Sequence, residues 1–199
     1  MAGRDRPVSR VAGFLEGVEG TAPWRRVVAI VAVALLAVLF VAVGLPSVPD
    51  GVIVPLGPPD QVVARVGDGP PTPTTLSLPG RFGHAGLPWD ARATATWTIE
   101  VPDDPPQGWG VWIERVQHAG RLRWDGREIG AVGDVDGDAR DERSLFGLVG
   151  EPRPGPHTLT LELRGGWGKG GTVGKLMHGP AEAVLAMRQR AELEKLGLL

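Results

Sequence analysis

The chain has 199 residues and a formal net charge of −2, with a pI of about 6.1; without a basic stripe, nucleic acid is not an expected partner. It contains no Cys, which excludes a disulfide framework and thiolate chemistry. It also contains no Asn, which excludes an N-glycosylation acceptor.

Residues 1–26 carry Arg4, Arg6, Arg10, Arg25 and Arg26 against Asp5, Glu16 and Glu19. Residues 27–45, VVAIVAVALLAVLFVAVGL, carry no charge. As a helix they would reach about 28 Å, close to the hydrocarbon thickness of a bilayer. The arginine excess at the front edge predicts a cytoplasmic tail over 1–26, a transmembrane helix over 27–45, and everything after it outside. In a bacterium that places the main domain in the periplasm, on a single-pass inner-membrane protein with the lipid bilayer as a partner. A cleaved signal peptide is the rival reading, since Ala42-Val43-Gly44 offers small residues at cleavage spacing.

Residues 46–72 are rich in Pro and Gly and read as a linker with a first strand at 61–66. From 73 to 178 the pattern is β. Residues 92–101 alternate Ala93, Ala95, Trp97, Ile99 and Val101 with Thr94, Thr96, Thr98 and Glu100, the period of a half-buried antiparallel strand. Strands are expected at 109–116 and 120–124. Asp125-Gly126 then predicts a type I′ hairpin into 127–129, since both central residues need positive φ. A short apolar run at 145–149 and a Leu-alternating strand at 157–164 follow. Residues 165–174 form a Gly-rich loop around Trp167. Short strands with Gly/Pro turns and no helix between them predict an all-β sandwich. Residues 179–199 read as a C-terminal helix, with Pro180 opening it and Gly197 closing it.

GWGVWIERVQHAGRLRWDGREIG, then LFGLV, then PGPHTLTLEL, is similar to the galactose-binding-like jelly roll. GTVGKLMHGPAEAVLAMRQRAELEKL resembles the exit of the periplasmic jelly-roll sensor domains of bacterial 7TM-DISM-type membrane receptors. The resemblance covers roughly residues 76–196 and implies a jelly-roll fold. It also implies a sensory role in signal transduction beside a membrane histidine kinase or diguanylate cyclase. The chain departs from that pattern in carrying neither later spans nor an output domain within its 199 residues.

Trp112 lies opposite Val111 and Ile113 in strand parity. With Glu114, Arg115, His118, Arg123 and Trp167 it is the expected ligand-binding group, for a small molecule or a carbohydrate. The acidic run with Asp134, Asp136, Asp138 and Glu142 offers oxygen ligands at alternate positions, as calcium requires. It has Ala139 where an EF-hand loop has Gly and Leu145 where that loop closes with Glu, so a solvated loop is the favoured reading and calcium the alternative. No cofactor is expected. No G-x-S-x-G, P-loop or Rossmann fingerprint is present, and no enzymatic activity is expected. Two further readings stay open: a scaffolding envelope protein whose jelly roll binds another protein, and, more distantly, an exported carbohydrate-active enzyme.

Overall fold

The computed structural model describes residues 24, 27–35, 53–105, 107–137, 141–166 and 171–197, the side chains of 141 and 142 apart. The chain divides into two compact units, Met1–Pro46 and Ser47–Leu199. In the first, Trp24 and residues 27–35 are helical, and Val27, Val28, Ile30, Val31, Val33 and Leu35 expose half or more of their surface. Residues 36–45 of the expected span, with the cleavage-like triplet, lie outside the described residues. Among the described residues no helix is long and apolar enough to cross a membrane.

In the second unit the described strands are β1 (Val54–Pro55), β2 (Gln61–Arg65), β3 (Thr72–Pro73), β4 (Gly80–Arg81), β5 (Arg92–Val101), β6 (Trp109–Trp124), β7 (Arg127–Val132), β8 (Asp141–Val149), β9 (Gly155–Arg164), β10 (Thr172–Val173) and β11 (Leu176–Pro180). Helix α1 (Ala181–Lys195) closes the unit. Their pairings are antiparallel. One sheet, A, runs β1-β11-β6-β8, with β10 against β6 and β4 against β10. The other, B, runs β3-β2-β5-β9-β6-β7. The second unit takes in the described part of the expected linker and first strand, the expected 73–178 domain and the C-terminal helix.

The alternation in β5 produces the layer it predicts. Ala93, Ala95, Trp97, Ile99 and Val101 are buried, and Thr98 and Glu100 are exposed. Across from β5, Leu159, Leu161 and Leu163 of β9 pair with Trp97, Ala95 and Ala93. These join Val111, Ile113, Val116, Leu145 and Leu176 in one core between the sheets. Burial of such side chains contributes about 1.5–3 kcal/mol each before conformational entropy is counted.

The expected breaks at 116 and 124 differ in kind. Residues 109–124 form one strand whose first half pairs in sheet A with β8 and β11, and whose second half pairs in sheet B with β7 and β9. The crossing is marked by a register shift against β8 between Ile113 and Val116 and by His118 at φ +86°. A positive φ is rare for a side chain of this size, and together with the bulge it turns the strand from one sheet into the other.

At the far end of β6 the Asp-Gly turn forms as expected, with Asp125 at φ +48° and Gly126 at φ +80°. The Asp125 carboxylate accepts the Thr158 amide at 2.8 Å and meets His157 Nδ1 at 2.6 Å. His157 Nε2 meets the Arg153 carbonyl at 2.7 Å, and the ring stacks on Trp124 with centroids 5.0 Å apart. Two acceptors facing both ring nitrogens suit the imidazolium, which donates from each. Burial works against that charge, but the bonds to Asp125 and the Arg153 carbonyl outweigh it, so the His157 pKa is raised. Burial likewise pushes the Asp125 carboxyl up, and the bonds from His157 and Thr158 more than reverse this, leaving it lowered.

The pair therefore has a defined pH window. The His157 contribution is complete below its unfolded pKa of about 6.5 and is lost as pH rises through the higher folded value; the Asp125 contribution is complete above about pH 4 and is lost on acidification. His157→Gln should lower Tm by a few degrees at pH 5.5 and by clearly less at pH 9. Equal losses at both pH values in a calorimetric series would show that the ring acts by packing alone.

At the other end, Pro180 is the last residue of β11 and the residue before α1, with ψ at 134°, and Gly197 at φ +67° follows the helix. The helix lies on the outer face of sheet A. Ala181 N–H donates to the Gly108 carbonyl at 3.0 Å, and a Cβ placed on Gly110 would meet Val184 Cβ at 3.0 Å. Farther along, the Arg188 guanidinium sits 5.5 Å over the Phe146 ring, and Ser144 Oγ donates to Glu192 Oε1 at 3.3 Å.

Candidate functional site

The placement of the five expected ligand residues that lie in β6 follows from its double membership. Trp112 does point away from Val111 and Ile113, but it is only 4% exposed. It lies between Met177 and Phe146 in register, on the side of sheet A that α1 covers, so it offers no open ring face. Glu114 is half-buried, and its amide donates to the Lys175 carbonyl at 2.9 Å. Arg115 is exposed where the strand bulges. His118 sits at the turn between sheets, its ring close to where a Gly166 Cβ would stand. Arg123 alone lies on the outer face of sheet B. Trp167 is outside the described residues. The structure thus does not bring the five described residues to one face. Strand parity holds at Trp112 and fails beyond Ile113, where the bulge and the φ of His118 change which side the later residues present.

The acidic run, expected as a solvated loop with calcium as the alternative, has exposed carboxylates at Asp134 and Asp136 that make contacts of their own. Asp134 Oδ1 accepts the Asp136 amide at 2.9 Å, closing a turn of its own loop. Asp136 reaches over sheet B, with Oδ2 3.0 Å from Arg121 Nη2 and Oδ1 3.4 Å from Arg92 Nη1. Val135 beside it is buried, so the loop is packed on the sheet. Residue 138 and the side chain of 142 lie outside the described residues. Among the described residues no group of three or more His, Asp and Glu side chains is placed to hold a metal ion.

What these contacts do build is a charged face. The outward positions of sheet B stand in cross-strand rows. Val63, Thr94, Glu162 and Arg121 make one, and Gln61, Thr96, Thr160 and Arg123 the next. Arg121 is held by three carboxylates: Asp136, Glu162 at 3.2 Å and Glu128 at 3.3 Å. Glu162 also accepts from Arg123 Nε at 2.8 Å, and Arg123 Nη1 donates to the Gly126 carbonyl at 3.2 Å. The hydrogen bond to Asp136 raises the Arg121 pKa, and the same bond holds the Asp136 carboxyl low. Beside this network a groove of about 310 Å³ opens between Val63, Thr94, Arg92, Val135, Asp136 and Glu162. A shelf of fixed donors and acceptors around a partly apolar floor suits a small polar ligand. Arg121 and Glu162 were not singled out in the sequence; their signal is position, since both fall on the outward parity of their strands.

No protein-family model matches the chain, and no curated protein matches it in sequence. Solved structures match in fold. A GH2 β-galacturonidase from Eisenbergiella tayi, bound to galacturonate, aligns with 64% of this chain and 24% of its own, at 12% identity and a TM-score of 0.50. An FMN-binding β-glucuronidase from Facaelibacterium prausnitzii L2-6 aligns over 64% of this chain and 22% of its own, at 16% identity and a TM-score of 0.45. For a Ruminococcus gnavus β-glucuronidase the figures are 68%, 30%, 8% and 0.46. The chain matches about a quarter of the length of these enzymes, and the likeness is one of fold alone: a jelly-roll-type, galactose-binding-like β-sandwich.

Proposed function

We propose that this chain is a non-catalytic binding module, tethered to the bacterial inner membrane by residues 27–45 and displayed in the periplasm. There it takes a small molecule or saccharide on the outer face of sheet B and serves as the sensory part of a signalling system with a membrane kinase or cyclase. The observation that carries the binding role is the groove beside Arg121, where three carboxylates and three arginines (Arg92, Arg121 and Arg123) are fixed by one another rather than by the core. Fixed polar groups bind without the entropic penalty of ordering long side chains. The apolar helical residues 27–35 with their exposed side chains support the tether, as do Arg25 and Arg26 before them. The fold itself supports binding without catalysis or with it, since one architecture hosts many functions.

The full chain in detergent, screened by thermal shift against neutral and acidic mono- and disaccharides and small metabolites, should give saturable stabilisation by at least one compound. A ligand present at 100 times its Kd contributes about 2.7 kcal/mol, or about 5–10 °C in a chain of this size. Thr94→Trp, which fills the groove from an outward position, should abolish the effect. A screen without a saturable hit, or a hit indifferent to Thr94→Trp, counts against the reading.

A further inference from the structure

A third row of sheet B lies next to the groove; it sets three arginines side by side and ends on Ala119 of β6. Arg65 of β2 pairs with Arg92 of β5, and Arg92 pairs with Arg164 of β9. Direct cross-strand partners share a face, with Cβ atoms about 4.5–5.5 Å apart, and like charges so placed repel. The row is also poorly neutralised from within. Among the described residues Arg92 has one carboxylate contact, the 3.4 Å approach of Asp136, whose shorter bond goes to Arg121. Arg164 Nη1 is buried and has no hydrogen-bond partner among the described residues. Asp68 and Asp90 share with the three arginines a cavity of about 280 Å³, yet no ion pair joins either of them to the row among the described residues. Three guanidinium groups thus face one small space against two carboxylates that do not engage them.

We propose that this arginine row is an anion site, and that the ligand of the sheet B face carries an oxyanion group, a carboxylate or a phosphate, seated between Arg92 and Arg164. Guanidinium forks match both groups bidentately, and an oxyanion there supplies the acceptor that Arg164 Nη1 lacks and relieves the repulsion along the row. Because the cavity and the groove share Arg65 and Arg92, the anion would mark one end of a longer polar ligand. The proposal rests on the binding reading given above and narrows it to acidic ligands.

The test uses the full chain with inorganic phosphate as one probe and glucuronate as the other, at ionic strength held constant with sodium chloride. Either probe should raise Tm saturably where chloride does not. Arg164→Gln should weaken that binding about tenfold or more, the scale expected for one charged hydrogen-bond donor. A response to phosphate alone assigns a phosphate-type ligand, and a response to glucuronate alone a carboxylate. If neither probe acts beyond chloride, or if both act equally on Arg164→Gln, the anion site is overturned. The wider binding reading would then still stand on any neutral hit that Thr94→Trp blocks, so the two failures are separable.

Discussion

Trp97→Ala should destabilise the sandwich by about 3–5 kcal/mol, the range for removing a buried large aromatic side chain, and lower Tm by about 6–20 °C. Trp97 is 3% exposed and stands in the middle of β5, facing Leu159 across the pair. Its indole Nε1–H donates to the Gly57 carbonyl at 2.9 Å. The ring therefore does two things, filling the space between the sheets and fastening the stretch between β1 and β2 onto β5. Trp97→Phe separates them. It keeps much of the apolar volume and removes the donor, so its loss should be smaller, about 1–2 kcal/mol. A loss below about 1 kcal/mol for the alanine variant in urea denaturation would mean that the core closes over the space and that Trp97 is not its centre.

Gly110→Leu should lift α1 from sheet A. The position has no room for a side chain, with Val184 Cβ at 3.0 Å and Val184 Cγ1 at 3.3 Å from where a Cβ would stand. Val184 is itself fully buried. Overpacking of this kind costs about 1–3 kcal/mol, and here the helix is the part free to give way. Two changes should follow together: greater protease sensitivity after Pro180, and a red shift in tryptophan emission as Trp112 loses its cover. If Gly110→Leu leaves both proteolysis and emission unchanged, α1 does not seat on this strand.

Much of the fold was legible because its signals are local. The Thr-faced alternation of 92–101 needs only period two, and Asp125-Gly126 needs only two adjacent residues that accept positive φ. The leucines of β9 are the same kind of signal. The site was less legible because it depends on register between strands far apart in sequence. Arg65, Arg92 and Arg164 each look like an ordinary strand-end arginine, and only the pairing of β2, β5 and β9 sets them side by side. Trp112 failed as a platform for a related reason. Its parity was read correctly, but which element covers that side is decided by α1, some seventy residues later. Asp136 drew notice as an oxygen donor, and its actual partners, Arg92 and Arg121, are again non-local.

The double membership of β6 has a mechanical consequence. A strand clamped along one wall by β8 and β11 and along the other by β7 and β9 works as a beam built into both. For the walls to slide past each other, β6 must shear its backbone hydrogen bonds on one side all at once, which resists load far better than peeling them one by one. The stretch from Gly110, beneath the helix, to Arg121, beside the groove, belongs to this one strand, bent by the bulge after Ile113 and by His118. The covered face of sheet A and the charged face of sheet B are thus parts of a single strand.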